Sequence, residues 1–246
     1  MHYSSYIIFL LTFTLFACQS EPDAQQIIDR AIARHGGERL EKSSLSFDFR
    51  KKHYDVSLEN GIFRYESLLQ DDTIGTVHDV LTNEGFVRNI NDQEISLSEE
   101  DNTRFMNSLN SVVYFALLPY FLNDPAANKR LLGTTTIKGQ PYYEIKVTFD
   151  PQGGGTDYDD EFIYWIHQED YTMNYLAYSF HVNGGGNRFR EAYNVREIDG
   201  IRLADYINYK STVEDFALDD YEQLYEEGQV EELSRIELEN VDVTIN

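Results

Sequence analysis

Apolar and polar residues alternate with period two over most of this chain, in short runs that recur at intervals of roughly ten residues, the spacing of a meandering antiparallel sheet. The runs Leu45–Lys51, His53–Glu59, Ile62–Leu69, Thr76–Thr82 and Phe86–Ile90 read as strands in the first half. Asn60-Gly61, between two of them, is a strong hairpin signal. Strands resume at Thr134–Ile137, Tyr142–Phe149, Glu161–His167, Asn174–Val182, Asn187–Ile198 and Ile201–Lys210, and a last one spans Glu232–Thr244. Helical spacing takes over in four places. Ile27, Ile28, Ala31 and Ile32 share one face of a helix over Asp23–Arg34, which Gly36-Gly37 stops. Ser98 followed by Glu99-Glu100-Asp101 reads as an N-cap with an acidic first turn, and Phe105, Leu109, Val112, Val113 and Ala116 continue that helix to Pro119. Asp124-Pro125 predicts the start of a shorter helix to about Leu131, and Asp219–Glu227 a short acidic one. Strands that mostly follow one another directly exclude βαβ units and predict an α+β fold, one large antiparallel sheet with two or three helices.

The N-terminus carries a different pattern. Ile7–Phe16 is an apolar run too short to span a bilayer and of the length of a secretory signal core. It ends at Leu15-Phe16-Ala17-Cys18, which resembles the lipobox of bacterial lipoproteins. That resemblance implies cleavage before Cys18 and acylation of its thiol; the alternative is an ordinary cleavable signal with an incidental cysteine. Two or more acyl chains, palmitate-like in kind, make anchoring stable. Gln19 stands where lipoproteins retained at the inner membrane usually carry Asp, so the same resemblance implies the outer membrane, on its periplasmic or cell-surface side. Residues 1–17 are then signal, 18–26 the lipidated cysteine and a polar tether, and 27–246 a single domain.

Composition narrows the partners. With 20 Lys and Arg against 43 Asp and Glu the net charge is −23, which repels phosphate backbones and argues against nucleic acid. Eighteen Tyr and fifteen Phe supply the aromatic surface that a strand-rich core buries. Cys18 is the only cysteine, so no internal disulfide helps to hold the fold.

Four segments carry a resemblance over nearly the whole mature chain: Asn110-Ser111-Val112-Val113-Tyr114-Phe115, Leu118-Pro119-Tyr120-Phe121-Leu122-Asn123-Asp124, Phe162-Ile163-Tyr164-Trp165 and Arg188-Phe189-Arg190-Glu191-Ala192. They are similar to a family of Gram-negative lipoproteins for which no activity is established. The resemblance implies the architecture of periplasmic lipoprotein carriers, a strongly curved antiparallel half-barrel wrapped around helices and a hydrophobic cavity.

Face assignments follow from the turns. Asp199-Gly200 predicts a two-residue hairpin pairing Ile198 with Ile201 and Arg190 with Tyr209. An even-length loop at Asn183–Gly186 then places Tyr175, Ala177, Ser179, His181, Arg188, Arg190, Asn194, Asp205 and Tyr209 on one face. Leu176, Tyr178, Phe180, Val182, Phe189, Tyr193, Val195, Ala204 and Tyr206 form the other, aromatic and buried, with Glu191 among them. A buried Glu191 requires either an ion pair or tyrosine hydrogen bond, or a role inside a ligand cavity. Arg188 and Arg190 could clamp an anion bidentately, or balance nearby acids on a solvated face.

Val112–Leu122 is apolar at every position but Pro119 and includes Tyr114, Phe115 and Phe121. Such a segment is either plain core or the wall of an apolar cavity. The cavity set is accordingly Tyr114, Phe115, Phe121, Tyr178, Phe189, Glu191 and Tyr193. In the loop Gly153–Glu161, Asp157, Asp159 and Asp160 offer oxygen ligands to calcium, or form an acidic turn with no ion. The five histidines after the signal show no paired spacing for zinc, and there is no Gly-x-Ser-x-Gly elbow or catalytic cysteine. No catalytic residue or cofactor is expected. The leading expectation is an envelope lipoprotein that binds or shuttles a hydrophobic ligand, with the membrane (through the anchor) and a lipid or other apolar molecule as partners. The alternatives are a carboxylate-dependent envelope hydrolase and a structural or interaction subunit of an envelope assembly.

Overall fold

Asn60 and Gly61 both take left-handed conformations, with φ of 50° and 86°, and close the turn that pairs Glu59 with Ile62. Asp199-Gly200 does the same for Ile198 and Ile201. Chains of such hairpins build the protein, a computed structural model that describes residues 22–152, 158–181 and 184–246. Cys18, Asp157 and Val182 lie outside the described residues, as do residues 1–17 and 19–21.

The first sheet contains β1 (Lys42–Phe49), β2 (Lys52–Glu59), β3 (Ile62–Asp71), β4 (Gly75–Thr82), β5 (Gly85–Ile90) and the short β6 (Gln93–Glu94). The second contains β7 (Ala127–Ile137), β8 (Gln140–Phe149), β9 (Glu161–His167), β10 (Met173–Phe180), β11 (Gly186–Ile198), β12 (Ile201–Ser211) and β13 (Val230–Ile236). A final strand, β14 (Glu239–Ile245), returns to the first sheet beside β1. The strand orders are β14-β1-β2-β3-β4-β5-β6 and β13-β12-β11-β10-β9-β8-β7, seven strands each and antiparallel between neighbours. Edges β6 and β7 do not pair with each other, so the expected α+β half-barrel is realised as two unclosed sheets around helices.

Helix α1 (Ala24–Arg34) starts on a capping box: Asp23 accepts from the Gln26 N–H while the Gln26 side chain accepts from the Asp23 N–H. Its Ile27, Ile28 and Ala31 are buried against Ile145, Val147, Tyr164 and Leu176 of the second sheet. Helix α2 (Glu99–Ala116), capped by Ser98, buries Leu109 and Val113 against Leu45, Tyr54, Val56 and Tyr65 of the first sheet. Helix α3 (Tyr221–Glu226) lies on the opposite side of the second sheet, where Tyr221 packs with Trp165, Tyr175 and Phe189. Among the described residues no helix is long and apolar enough to cross a membrane.

Three sequence expectations need correction. The helix expected after Asp124-Pro125 is absent. Asp124 does cap, accepting from the Ala126 N–H at 2.8 Å, but the next residues enter β7 and pair along β8. Its β-branched Thr134-Thr135-Thr136 segment favours extended backbone. The single strand expected over 232–244 is two, broken at Glu237-Leu238, where the chain leaves one sheet for the other. Buried Asp205 holds that junction, accepting from the Leu238 N–H and from Arg196, both at 3.0 Å, while Arg196 donates to the Leu238 carbonyl at 2.7 Å.

The third correction concerns strand faces. A β-bulge between Tyr193 and Arg196, with Asn194 at φ 46°, shifts the β11–β12 register by one, so Arg190 opposes Asn208 and Phe189 opposes Tyr209. The β10–β11 hairpin closes at Phe180 and Gly186, an odd-length loop of residues 181–185, which inverts the parity again. The two shifts cancel for β12 and leave β11 alone turned over. Tyr178, Ala204 and Tyr206 therefore face the helices as expected, and Arg188 and Arg190 join them. Phe189, Glu191 and Tyr193 point to the α3 side.

Candidate functional site

The inverted strand decides the site. A cavity of about 360 Å³ lies between α2 and the helix-facing side of the second sheet, close to the junction of the sheets. One wall is Val112, Phe115 and Ala116 of α2. The other is Tyr178, Arg190, Ala204, Tyr206 and Asn208, from three adjacent strands, with Ile236 and Leu238 closing one end. Phe49 and Arg50 stand at its mouth and also line a second, adjoining space of about 340 Å³ together with Lys51, Lys52 and Tyr54. No Asp or Glu lines the first cavity among the described residues.

Packing explains why the walls hold their shape. The Phe115 ring lies 5.2 Å from that of Tyr178 and 6.4 Å from that of Phe162, centroid to centroid. Tyr114 stacks on Phe121 at 5.4 Å and backs the helix into the core. Burial pushes the hydroxyls of Tyr114 and Tyr206 up to about 12, so both remain neutral hydrogen-bonding groups at any physiological pH.

Arg190 is the polar feature of this apolar wall. It is only 8% exposed. Its Nη2 donates to the Tyr178 hydroxyl at 2.8 Å, and its guanidinium carbon sits 4.1 Å above the Phe115 ring centroid and 5.0 Å from that of Tyr178. Its Nε is buried and donates to nothing. No carboxylate of a described residue comes within 4.0 Å of it as an ion-pair partner. Asn208, its cross-strand neighbour, donates to Ser234 Oγ at 3.2 Å and leaves Oδ1 buried without a partner.

Of the cavity set expected from sequence, Phe115 and Tyr178 line the space. Tyr114 and Phe121 support it from the core without lining it. Phe189, Glu191 and Tyr193 do not belong to it. Phe189 is fully buried under α3, stacked with Tyr175 and Tyr221. Glu191 takes the structural role: it accepts from Lys138 Nζ and the Tyr225 hydroxyl, each at 2.5 Å, and from the Tyr209 hydroxyl at 3.3 Å. Tyr193 donates to Glu237 at 2.6 Å beneath Arg235. Arg188 shares the face of Arg190 but stacks on Phe180 at 5.1 Å, away from the cavity.

Asp159 and Asp160 gather with His181, whose Nδ1 lies 3.5 Å from an oxygen of each. Asp159 and His181 are exposed, and an imidazole as the third donor departs from the all-oxygen set that calcium takes.

Sequence reasoning missed Asn208, Tyr206 and Arg50 as a group with Arg190. One signal was available: Arg50-Lys51-Lys52 is the only run of three consecutive basic residues in this acidic chain, and it forms the turn at the mouth.

The profile of a family of unknown function, DUF6503, matches residues 4–238. The chain belongs to that family. Among solved structures, this member of DUF6503 is similar to a LolA superfamily protein from Nitrosomonas europaea at 12% identity, covering 91% of this chain and 92% of that one with a TM-score of 0.49. It is also similar to a DUF1329 family protein from Desulfovibrio piger, at 13% identity over 91% and 94% of the two chains with a TM-score of 0.46. The lipoprotein LppX of Mycobacterium tuberculosis matches at 11% identity over 65% and 89% with a TM-score of 0.27. No curated protein matches the sequence.

Proposed function

We propose that this DUF6503 protein is an envelope lipoprotein, anchored to the outer membrane through Cys18, that binds or shuttles a hydrophobic ligand in the cavity beside α2. The observation that carries the reading is the cavity: about 360 Å³, within the range of small-molecule sites, and walled by Phe115, Tyr178, Tyr206 and aliphatic side chains. The lipobox-like Leu15–Cys18 supports the anchor, since an acylated cysteine would hold the domain at a membrane through a short tether. A hydrolase working through carboxylates is not favoured, because none lines the space among the described residues.

The test uses the full chain with Cys18→Ala and a neutral apolar fluorophore whose emission rises on burial. The parent binds it saturably, and Ala204→Phe, which puts a ring into the cavity, reduces binding by about tenfold or more. A parent that binds no such probe, and whose anchored form carries no lipid in native mass spectrometry, overturns the reading.

A further inference from the structure

Resting on that cavity, we infer that its ligand is an amphiphile with an anionic head group, held by Arg190 with Asn208 beside it. Buried charges in proteins are paired, because stripping water from an ion costs more than neutral surroundings return. Arg190 breaks this rule among the described residues: it is 8% exposed, makes one hydrogen bond to a neutral hydroxyl, and keeps a buried Nε without an acceptor. Its contacts with the Phe115 and Tyr178 rings offset part of the desolvation and leave the buried Nε–H without an acceptor. Arg88 and Arg196 have carboxylate partners, Asp79 at 2.6 Å and Asp205 at 3.0 Å. Arg202, as buried as Arg190, has none either and donates to the Asn174 amide oxygen at 2.9 Å, but it keeps no buried N–H without an acceptor, which sets Arg190 apart. In the cavity the missing partner is an anion that no described residue supplies.

Asn208 fits the same head group. Turning its amide over keeps the bond to Ser234, whose hydroxyl both donates and accepts, and presents an N–H pair where Oδ1 now lacks a partner. A carboxylate or phosphate ester would then accept from both residues, with its apolar tail against Phe115, Ala204 and Ile236. The mouth supplies a second, independent observation. On a chain of net charge −23, the one run of three cations, Arg50-Lys51-Lys52, stands at the entrance, where it concentrates anions that the rest of the surface repels. Lys52 is partly engaged by Asp79 at 3.8 Å, and Arg50 and Lys51 are exposed.

The experiment is displacement of the neutral fluorophore from the full Cys18→Ala chain at pH 7.5 by decanoate, decanol and acetate. Decanoate displaces it at about a tenfold or more lower concentration than decanol, the factor expected for charge-assisted hydrogen bonds to a buried guanidinium, and acetate does not displace it. Arg190→Met, with displacement by each compound referred to the variant's own fluorophore affinity, equalises the two decyl compounds. The Arg190 Nε–H resonance of the parent shifts with decanoate and not with decanol, a readout that needs no variant. Equal displacement by decanoate and decanol in the parent overturns the inference while leaving a neutral-ligand cavity standing. Preference surviving in Arg190→Met, or an Nε–H resonance indifferent to decanoate, overturns the assignment to Arg190 in favour of the mouth. Displacement by acetate alone at matching concentrations replaces the amphiphile with a small-anion site. Absence of fluorophore binding removes the cavity reading itself.

Discussion

Two buried titratable groups give the fold's stability opposite responses to pH, and the pair can be separated by mutation. His35 ends α1 with its ring enclosed. Nδ1 lies 2.7 Å from the Ala31 carbonyl, and Nε2 accepts from the Met173 N–H at 3.4 Å, so the ring is neutral with its proton on Nδ1. Burial pulls it down from 6.5 to about 4, and Arg202 and Arg34 push in the same direction. A depressed folded value means that the unfolded chain binds the proton more readily. This stabilisation is present above pH 6.5 and lost as pH falls to 4, an amount of about 3 kcal/mol. Glu144, on β8, is the converse. Burial, together with Glu222, Asp219 and Asp220 around α3, raises it from 4.5 to about 7, so the folded state holds the proton more tightly. Its contribution is present below pH 4.5 and lost as pH rises through 7; the partial exposure of the residue reduces this to about 2 kcal/mol. The assay is urea unfolding of the parent, His35→Gln and Glu144→Gln at half-unit steps from pH 4.5 to 7.5. Relative to the parent's profile, His35→Gln loses stability as pH rises and Glu144→Gln gains it. Surface groups contribute equally to all three and drop out of the differences. A His35→Gln variant with the parent's pH profile would refute the assignment of a buried neutral imidazole, and a Glu144→Gln variant with that profile would refute the buried proton on Glu144.

Three further outcomes follow from the packing. Phe189→Ala removes a fully buried ring from between Tyr175 and Tyr221 and costs about 3–5 kcal/mol in thermal or urea unfolding, with no change in fluorophore affinity, because it lies on the far side of the sheet from the cavity. Asp205→Ala leaves Arg196 and the Leu238 N–H without their acceptor at the sheet junction and destabilises by about 3–5 kcal/mol by the same measurement. Cys18→Ala moves the chain from the detergent phase to the aqueous phase on fractionation; retention in the detergent phase would show an anchor other than the acylated cysteine.

Most elements of this fold are local and therefore legible in one dimension. Asp23 with Gln26, Ser98 before three acids, and the Asn-Gly and Asp-Gly turns act within a few residues, and each does in the structure what its chemistry predicts. The strand runs and the all-antiparallel pairing follow from alternation and from the absence of intervening helices. Where the pattern misled, a longer-range pairing outweighed a local signal. Asp124-Pro125 has the chemistry of a helix start, but β8 offers the following residues a full ladder of backbone hydrogen bonds. The run 232–244 intersperses apolar and polar residues with no turn signal strong enough to split it, although its alternation slips between Leu238 and Val241, and the Asp205–Arg196–Leu238 contact divides it between two sheets.

The site shows the same division more sharply. Composition alone determined that the interior would be aromatic. The sequence also made Phe115 and Tyr178 candidates for one cavity, and both line the space beside α2. It could not decide which way β11 faced. Side-chain direction in a strand has period two, so one residue of bulge at Asn194 and an odd-length loop before Gly186 were enough to exchange its faces. That exchange took Phe189 and Glu191 to the α3 side, where Lys138 and two tyrosines satisfy the carboxylate. It brought Arg190, which as a residue on a strand was equally suited to solvent, against Phe115 and into the wall that Tyr206 shares, with no carboxylate of a described residue beside it. Parity errors of a single residue cost nothing locally and reverse everything laterally; that is why tertiary pairing, and no feature of the segment itself, set the chemistry of the cavity.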